Sequence, residues 1–448
     1  MISVGRKQDR GSLHRIIRVR DGMAVTVGIV IGAGILRTPG LISGYLGDAR
    51  MILGVWVLGG VVAALSTLLL AEMAAAFPRA GGKYVYAREA FGPVAGFVAG
   101  WSELLVTRAF SGAAKAVVIA EYIILLAGRG NVQVLAGFVI LAFVLVHYGG
   151  LRLGTLFQNV TTMVKVVVLA GIAAAGLWVG DFRGFAESAS FAPEYSGLLG
   201  FALAYQLTAF AYYGWEDAAK MAEETRNPGR AMPRILLGGA AVVAVLYLLI
   251  NIAFLSALTP GEMAGSPLVA QDAIAGVFGE KAGVLVVLAG LLILVSSLNV
   301  QFLGMPRVAF GLARDGLAPP ALTQVTSRGT PGLSLLFISA VILGLALTGA
   351  FELLIRFMML VAISVDLMVL LAFFRLRASR PDQARPFRVP LSPWLPALTI
   401  LLYMALLTII VTTQPELTLG AGAMLVVIAL AGIVTTVLRK GGTLTRRG

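Results

Sequence analysis

Two long apolar stretches of this sequence, the first and the sixth, are interrupted by short runs that break helices. The runs are Gly-Ala-Gly and Tyr-Tyr-Gly, and their residues are Gly32, Ala33, Gly34, Tyr212, Tyr213 and Gly214. A helix surrounded by lipid cannot leave backbone N–H and C=O groups unpaired, so such a break persists only where it lines a cavity or binds a ligand. The two breaks therefore predict a binding site between them.

The apolar stretches are long enough to cross a membrane. Hydrophobic residues make up 58% of the 448 residues and charged residues 13%, which is typical of an integral membrane protein. At about 20 residues per helical span, we predict an all-α protein with twelve transmembrane helices. The predicted spans are 21–46, 50–77, 92–127, 131–149, 155–180, 197–221, 233–257, 282–311, 332–350, 352–376, 393–413 and 418–438.

Positive charge is distributed unevenly between the loops. Most of the 35 lysines and arginines lie in the two tails and in the even-numbered loops, which predicts a cell-membrane protein with both termini cytoplasmic. The basic N-terminus leads into a span without a small-residue cleavage site, so we expect no signal peptide. No loop is long enough to fold a nucleic-acid-binding domain, so topology explains the net charge of +13 and no nucleic acid is expected.

The breaks divide the chain into two sets of five spans. Five is an odd number of crossings, so the second set begins on the opposite side of the membrane and the two sets are inverted repeats. We predict a cytoplasmic tail, two five-helix repeats, two peripheral helices and a second cytoplasmic tail, at 1–20, 21–180, 197–376, 393–438 and 439–448.

The chemistry of the breaks suits a zwitterion. Unpaired N–H groups where the outer half-helix begins, near Ile35, favour a carboxylate. Free carbonyls in the second break favour an ammonium group, and the candidates are Phe210, Ala211 and Tyr212. The alternative for the first break is close helix packing, because Gly28 and Gly32 are four residues apart. The contiguous run and the second break favour the ligand site.

Motifs along most of the chain resemble one family. They are GIVIGAGILRTPG, LLLAEMAAAFPRAGGKYVYAREAFGP, WSELLVTR, FQNVTTMVK, AFAYYGWEDAAKMAEETRNPGRAMPRI, SSLNVQFLGMPRVAFGLARDGLAPP and RPFRVPLSPWLP. In this order they resemble the amino acid-polyamine-organocation superfamily, most closely its L-type amino acid transporter branch. The resemblance implies a leucine-transporter-like fold, with a ten-helix inverted-repeat core in which helices 1 and 6 are discontinuous, and amino acid transport by alternating access.

The resemblance also implies residues of the substrate site. The carboxylate site of the family falls on Gly32, Ala33 and Gly34, and its amino site falls on Phe210, Ala211 and Tyr212, with Phe210 closing over the substrate. Tyr213, directly before Gly214, stands where many relatives have a small or acidic residue. The shape of the side-chain pocket, and hence the transported side chain, stays open.

Lys165 lies about 10 residues into the fifth span, too deep for its ammonium to reach the interface easily. In the family its counterpart takes the place of a sodium ion found in related sodium-coupled transporters, which implies sodium-independent transport, and Ser297 is the expected neighbour. Lys165 could also lose and regain a proton and so couple transport to protons. The alternative is a structural lysine that pairs with carbonyls or a carboxylate.

Two further charges lie inside predicted spans, Asp366 in the tenth and Lys115 in the third. Asp366 is either a proton or cation site of the pathway or the buried partner of Lys115 or Arg356. Pairing is the favoured interpretation, because buried charges are usually paired. Lys115 is not a recognised feature of the family.

The sequence lacks the groups that enzymes and metal sites commonly use. It has no cysteine, and its two histidines, His14 and His147, are far apart, so no clustered zinc site is expected. It has no credible catalytic triad and no G-x-x-x-x-G-K-[ST] phosphate loop. We expect a non-enzyme without cofactor or metal. The missing cysteine also excludes the disulfide by which animal L-type transporters attach a heavy chain, and we expect a monomer.

These observations predict a secondary active carrier, an exchanger or a proton-coupled symporter, with amino acids as substrate and membrane lipid as its surroundings. A polyamine or cationic amino acid carrier is the alternative if Asp366 faces the cavity. A channel or membrane receptor is the alternative from another class. A channel would require a continuous polar stripe, whereas the polar residues here are isolated points beside the breaks.

Overall fold

The described part of the chain is all-α. A computed structural model describes residues 17–79, 81–148, 152–186, 193, 195, 197–326 and 330–444. Most of the predicted N-terminal tail, including His14, and the last four residues of the C-terminal tail lie outside the described residues. Within those residues, the β pairing consists of one isolated bridge between Ile17 and Thr225.

Eighteen α-helices follow one another along the described chain. In order, α1 to α18 are Val19–Val30, Ala33–Leu46, Ala49–Ala76, Lys83–Phe91, Pro93–Ser102, Ala109–Ala127, Val132–Tyr148, Arg152–Val179, Arg183–Ala186, Gly197–Tyr212, Pro228–Ala257, Pro260–Gly265, Val269–Phe278, Glu280–Arg314, Gly332–Ala346, Phe351–Ser379, Trp394–Thr413 and Pro415–Leu444. A π-helical turn, Glu103–Arg108, joins α5 to α6, and 3₁₀-helices occupy Trp215–Glu224 and Pro320–Thr323.

Eight of the described helical segments are long and apolar enough to cross a membrane, and the bent pair α1–α2 makes a ninth. The chain is therefore a multi-pass membrane protein. The predicted spans 131–149, 197–221 and 332–350 contain the shorter helices α7, α10 and α15, of 17, 16 and 15 residues. The count of twelve spans stays a prediction.

The tight connection between α2 and α3 shows how local sequence sets helix ends. Gly47 adopts the left-handed conformation with φ 66°, which a residue without a Cβ adopts at low cost, and α2 ends there. The Asp48 side chain then accepts hydrogen bonds from the N–H groups of Arg50 (2.8 Å) and Met51 (3.0 Å). This N-cap begins α3 directly after the turn.

The first predicted break is present and lies slightly earlier than expected. Helix α1 ends at Val30, α2 begins at Ala33, and the two are bent by 42°. Ile31 and Gly32 form the break, whereas the sequence pattern placed it at 32–34 and the second half-helix near Ile35. Ala33 and Gly34 thus belong to the first turn of α2.

The second break lies where the sequence pattern predicts it. Helix α10 ends at Tyr212, Tyr213 and Gly214 form a turn, and the chain continues as the 3₁₀-helix Trp215–Glu224. Gly214 has a φ of 115°, which side chains with a Cβ rarely adopt. The turn therefore requires glycine at this position.

The third predicted span is not a uniform α-helix. The π-helical turn Glu103–Arg108 widens it between α5 and α6, and π turns of this kind are frequent at functional sites. Mean hydropathy cannot detect this turn, because the extra residue per turn changes the direction in which side chains face without changing their composition. The turn lies beside the two breaks.

Candidate functional site

The two broken segments pack against each other. Helix α2 contacts α10, and α1 contacts the 3₁₀-helix Trp215–Glu224. A methyl group at Gly34 would lie 2.4 Å from the Cα of Ala211, and one at Gly214 would lie 2.9 Å from Cγ2 of Ile29. Both contacts are closer than real Cβ atoms allow, so glycine permits the approach of the two breaks.

A cavity lies between the two breaks and the π-helical turn of the third span. Its lining consists of Ile29, Val30, Gly32, Ala33, Gly34, Thr107, Arg108, Ser111, Lys115, Phe210, Tyr213 and Gly214. The lining includes six of the predicted substrate-binding residues. The other three, Ile35, Ala211 and Tyr212, do not line it.

The three residues outside the lining have packing contacts. Ile35 is almost fully buried in the core, and Ala211 lies against Gly34. The Tyr212 hydroxyl donates to the carbonyl of Trp56 at 3.2 Å, and the two rings meet edge to face. Their side chains therefore hold the broken segments in place, while the ligand role of the α10 carbonyls stays a prediction.

The carbonyl of Phe210, predicted to be free, has a hydrogen-bond partner. It accepts a hydrogen bond of 3.0 Å from the N–H of Tyr213, which closes the turn after α10. A carbonyl oxygen has a second lone pair, so Phe210 keeps the capacity to accept from a substrate ammonium.

The beginning of α2 can bind an anion. Ala33 and Gly34 are its first residues and both line the cavity. The N–H groups of the first helical turn have no carbonyl partner within the helix, and the helix dipole adds partial positive charge at this end. A carboxylate in the cavity would therefore be stabilised here.

The carbonyl groups at the end of α1 accept hydrogen bonds from side chains of other helices. Lys165, which is fully buried, donates through its ammonium to the carbonyls of Gly28 at 2.9 Å and Ile31 at 3.2 Å. The hydroxyl of Tyr247 donates to the carbonyl of Val30 at 3.0 Å. Lys165 thus reaches the broken first helix, and its role in coupling stays a prediction.

Ser297 lies against Gly32 in the first break. A methyl group at Gly32 would lie 2.5 Å from its Oγ, which explains the glycine at that position. Among the described residues, the Ser297 hydroxyl has no hydrogen-bond partner, so it does not bond to the Lys165 ammonium. Its expected role as a neighbour of Lys165 stays a prediction.

Asp366 is paired, but with a different residue from those that the sequence analysis favoured. Its carboxylate lies 2.6 Å from the ammonium of Lys83, which also contacts Glu216 at 3.0 Å. Burial alone would lower the pKa of Lys83, but the carboxylates of Asp366 and Glu216 raise it well above its usual range. Lys83 lies in a loop that the charge distribution predicts to be cytoplasmic, and the structure buries its side chain.

The other two proposed partners of Asp366 have contacts of their own. Lys115 donates to the side-chain carbonyl oxygen of Gln301 at 2.8 Å. Arg356 donates to the corresponding oxygen of Gln414 at 3.1 Å and lies 3.5 Å from the carboxylate of Glu352. The predicted pairing of Asp366 with Lys115 or Arg356 is therefore wrong.

A buried cluster of charges that the sequence analysis missed lies next to the cavity. Arg108 contacts the carboxylates of Glu103 and Asp217, and Lys220 contacts the same two. A second cavity, lined by Lys83, Glu103 and Asp366 among others, shares Thr107 and Tyr213 with the first. The signal was present in the sequence, because the segments ELLVTR and GWEDAAK put acids and bases into apolar surroundings.

The sequence matches the amino acid permease family over residues 21–436. The chain belongs to this family. The permease is 29% identical over 402 residues to the serine/threonine exchanger SteT of Bacillus subtilis, covering 88% of this chain and 90% of that protein. It is 28% identical over 418 residues to the b(0,+)-type amino acid transporter 1 of Mus musculus, and the match covers 90% of this chain and 84% of that protein.

A third relative of this permease is the large neutral amino acids transporter small subunit 2 of Mus musculus. The two are 28% identical over 419 residues, which cover 90% of this chain and 78% of the relative. These matches confirm the resemblance to the superfamily and to its L-type branch. They also support amino acid transport as the function and confirm that the permease is not an enzyme.

Proposed function

We propose that this permease carries amino acids across the cell membrane by alternating access, with backbone groups of the two breaks binding the substrate. One observation carries the proposal. The beginning of α2, at Ala33 and Gly34, and the end of α10, at Phe210, border the same cavity. The first end favours a carboxylate and the second an ammonium group, so together they fit the two charges of an amino acid.

The fold that we propose for this activity has twelve spans, with residues 21–180 and 197–376 as inverted repeats and both termini cytoplasmic. The broken pair α1–α2 and the broken pair of α10 and Trp215–Glu224 then hold corresponding places in the two repeats. Substrate sites between discontinuous helices at the interface of two repeats are common in secondary transporters. Rocking of one helix bundle against the other would expose the cavity to each side in turn.

We propose that transport does not depend on sodium. The Lys165 ammonium occupies the end of α1 and donates to two of the carbonyls that the break leaves. A sodium ion would need such carbonyl oxygens as ligands, so a fixed ammonium at this point replaces it. The coupling is then exchange of one amino acid for another or symport with protons.

A carrier of polyamines or cationic amino acids is less well supported. That function would require a free carboxylate facing the substrate, and Asp366 was the candidate. Asp366 borders the second cavity and is paired with Lys83. Among the described residues that line the cavity between the breaks, none is acidic.

Uptake into proteoliposomes tests the proposal. The purified permease is reconstituted and offered a panel of radiolabelled amino acids, with and without internal amino acid, a pH gradient or sodium. We expect uptake that is stimulated by internal amino acid or by inward protons and is unchanged when choline replaces sodium. Protein-free liposomes are the control. Strict sodium dependence contradicts the coupling, and a lack of uptake of every amino acid contradicts the function.

A further inference from the structure

The cavity between the breaks contains more positive charge than an amino acid with a neutral side chain can balance. Arg108 and Lys115 both line it, and no carboxylate does among the residues that the structure describes. An amino acid with a neutral side chain brings one positive and one negative charge. Its carboxylate already has a binding place at the beginning of α2.

The positive charge of Arg108 is balanced by carboxylates that it contacts. Its guanidinium contacts Glu103 and Asp217, both of which are buried outside the cavity lining. The arginine is thus part of the buried charge cluster, and its charge does not call for an anion from the substrate.

The positive charge of Lys115 is not balanced in this way by any described residue. Its ammonium donates to the neutral side chain of Gln301, which in turn donates to the backbone carbonyl of Arg108. Within the described residues, no carboxylate forms an ion pair with Lys115. An ammonium held inside the membrane without a counter-charge is costly, and an entering carboxylate would offset that cost by a charge-assisted hydrogen bond.

The helix face around Lys115 is also polar. Ser111 lies one turn before Lys115 on α6 and lines the same cavity, and residues four apart in a helix share a face. Its hydroxyl offers a second donor to a carboxylate. This helix face therefore offers polar groups to the cavity.

We propose that Lys115 binds the side-chain carboxylate of the substrate, so that the permease prefers acidic amino acids to their amides. The inference rests on the proposed function and specifies its substrate class. The competing role for Lys115 is a share in binding the α-carboxylate, because its Cε lies 3.8 Å from the place of a methyl group at Gly32. The two roles predict different selectivity.

Competition of unlabelled glutamate, glutamine, aspartate and asparagine against labelled substrate separates these roles, since each acid differs from its amide by the side-chain charge. We expect the wild type to prefer each acid by at least about tenfold, a typical value for one charged hydrogen bond. In Lys115→Met the ratio should fall close to one, while the affinity for glutamine is kept. Lys281→Met, which removes an exposed lysine at the beginning of α14, should keep the wild-type ratio.

Three outcomes overturn the inference. A wild type that does not prefer the acids contradicts it without any variant. An equal loss of affinity for acids and amides in Lys115→Met assigns the lysine to the α-carboxylate instead. Retention of the wild-type ratio in Lys115→Met excludes any contact between Lys115 and the substrate side chain.

If Lys115→Met is not monodisperse in detergent, Lys115→Gln replaces it. Failure of the proposed function is distinct, because the wild type then takes up no amino acid at all.

Discussion

Gly34 and Ala211 lie at the contact between α2 and α10, and a methyl group on Gly34 would lie 2.4 Å from the Cα of Ala211. The methyl group would clash with backbone, which cannot rotate away as a flexible side chain can. The cavity between the breaks therefore depends on a glycine whose missing side chain lets α2 and α10 touch.

The variant Gly34→Ala should separate α2 from α10 and weaken substrate binding by at least about fivefold, because overpacking of this kind typically costs about 1–3 kcal/mol. The measurement is the Kd of the best substrate in detergent, together with the melting temperature, which should fall. Gly54→Ala is the matched control, since a methyl group there would meet nothing within 4 Å. An unchanged Kd in Gly34→Ala would contradict the assignment. The larger Gly34→Leu would disrupt this packing further.

Replacing Lys165 by methionine should abolish transport while leaving the exposed-lysine variant Lys281→Met active. The substitution removes the donor for the Gly28 and Ile31 carbonyls, and each buried acceptor that loses its partner costs about 1–3 kcal/mol. The measurement is the initial rate of uptake in proteoliposomes, with protein incorporation checked by immunoblot. Uptake at the wild-type rate would show that Lys165 takes no part in coupling.

Lys83→Met should lower the melting temperature more than Asp366→Asn. The first change leaves two buried carboxylates, Asp366 and Glu216, without their ammonium, whereas the second leaves Lys83 its contact with Glu216. Removal of one partner from a buried ion pair costs about 3–5 kcal/mol. Thermal unfolding in detergent gives the ranking, with the exposed Asp382→Asn as control. The reverse order would mean that Asp366 is the centre of the cluster.

Arg377→Lys should lower the melting temperature by several degrees, and the neighbouring exposed Arg375→Lys should not. Arg377 donates to both oxygens of Glu72, at 2.8 Å and 2.6 Å, so it joins α16 to α3. A lysine keeps the charge but cannot form the two parallel hydrogen bonds of a guanidinium. Equal melting temperatures for the two variants would show that charge alone holds this contact.

The class of protein and the two breaks could be predicted from the sequence. Membrane spans depend on the length of apolar runs, and breaks depend on short runs such as those ending at Gly34 and Gly214, so both are local properties of the chain. The prediction placed the start of the second half-helix two residues late, near Ile35 instead of at Ala33. The cause is that a helix start depends on which backbone groups find partners, and those partners lie on other helices.

Tertiary structure alone decided which charges meet. Lys83 and Asp366 are 283 residues apart in sequence, and no local pattern connects them. Arg108, in the π-helical turn before Ala109, likewise meets Asp217, while Lys115 faces a cavity in which no described lining residue is acidic. Sequence determined that this chain crosses the membrane and breaks two of its helices there, because hydropathy and helix propensity act over a few turns. The partner of a buried charge depends on how distant helices pack, so only the folded protein determines it.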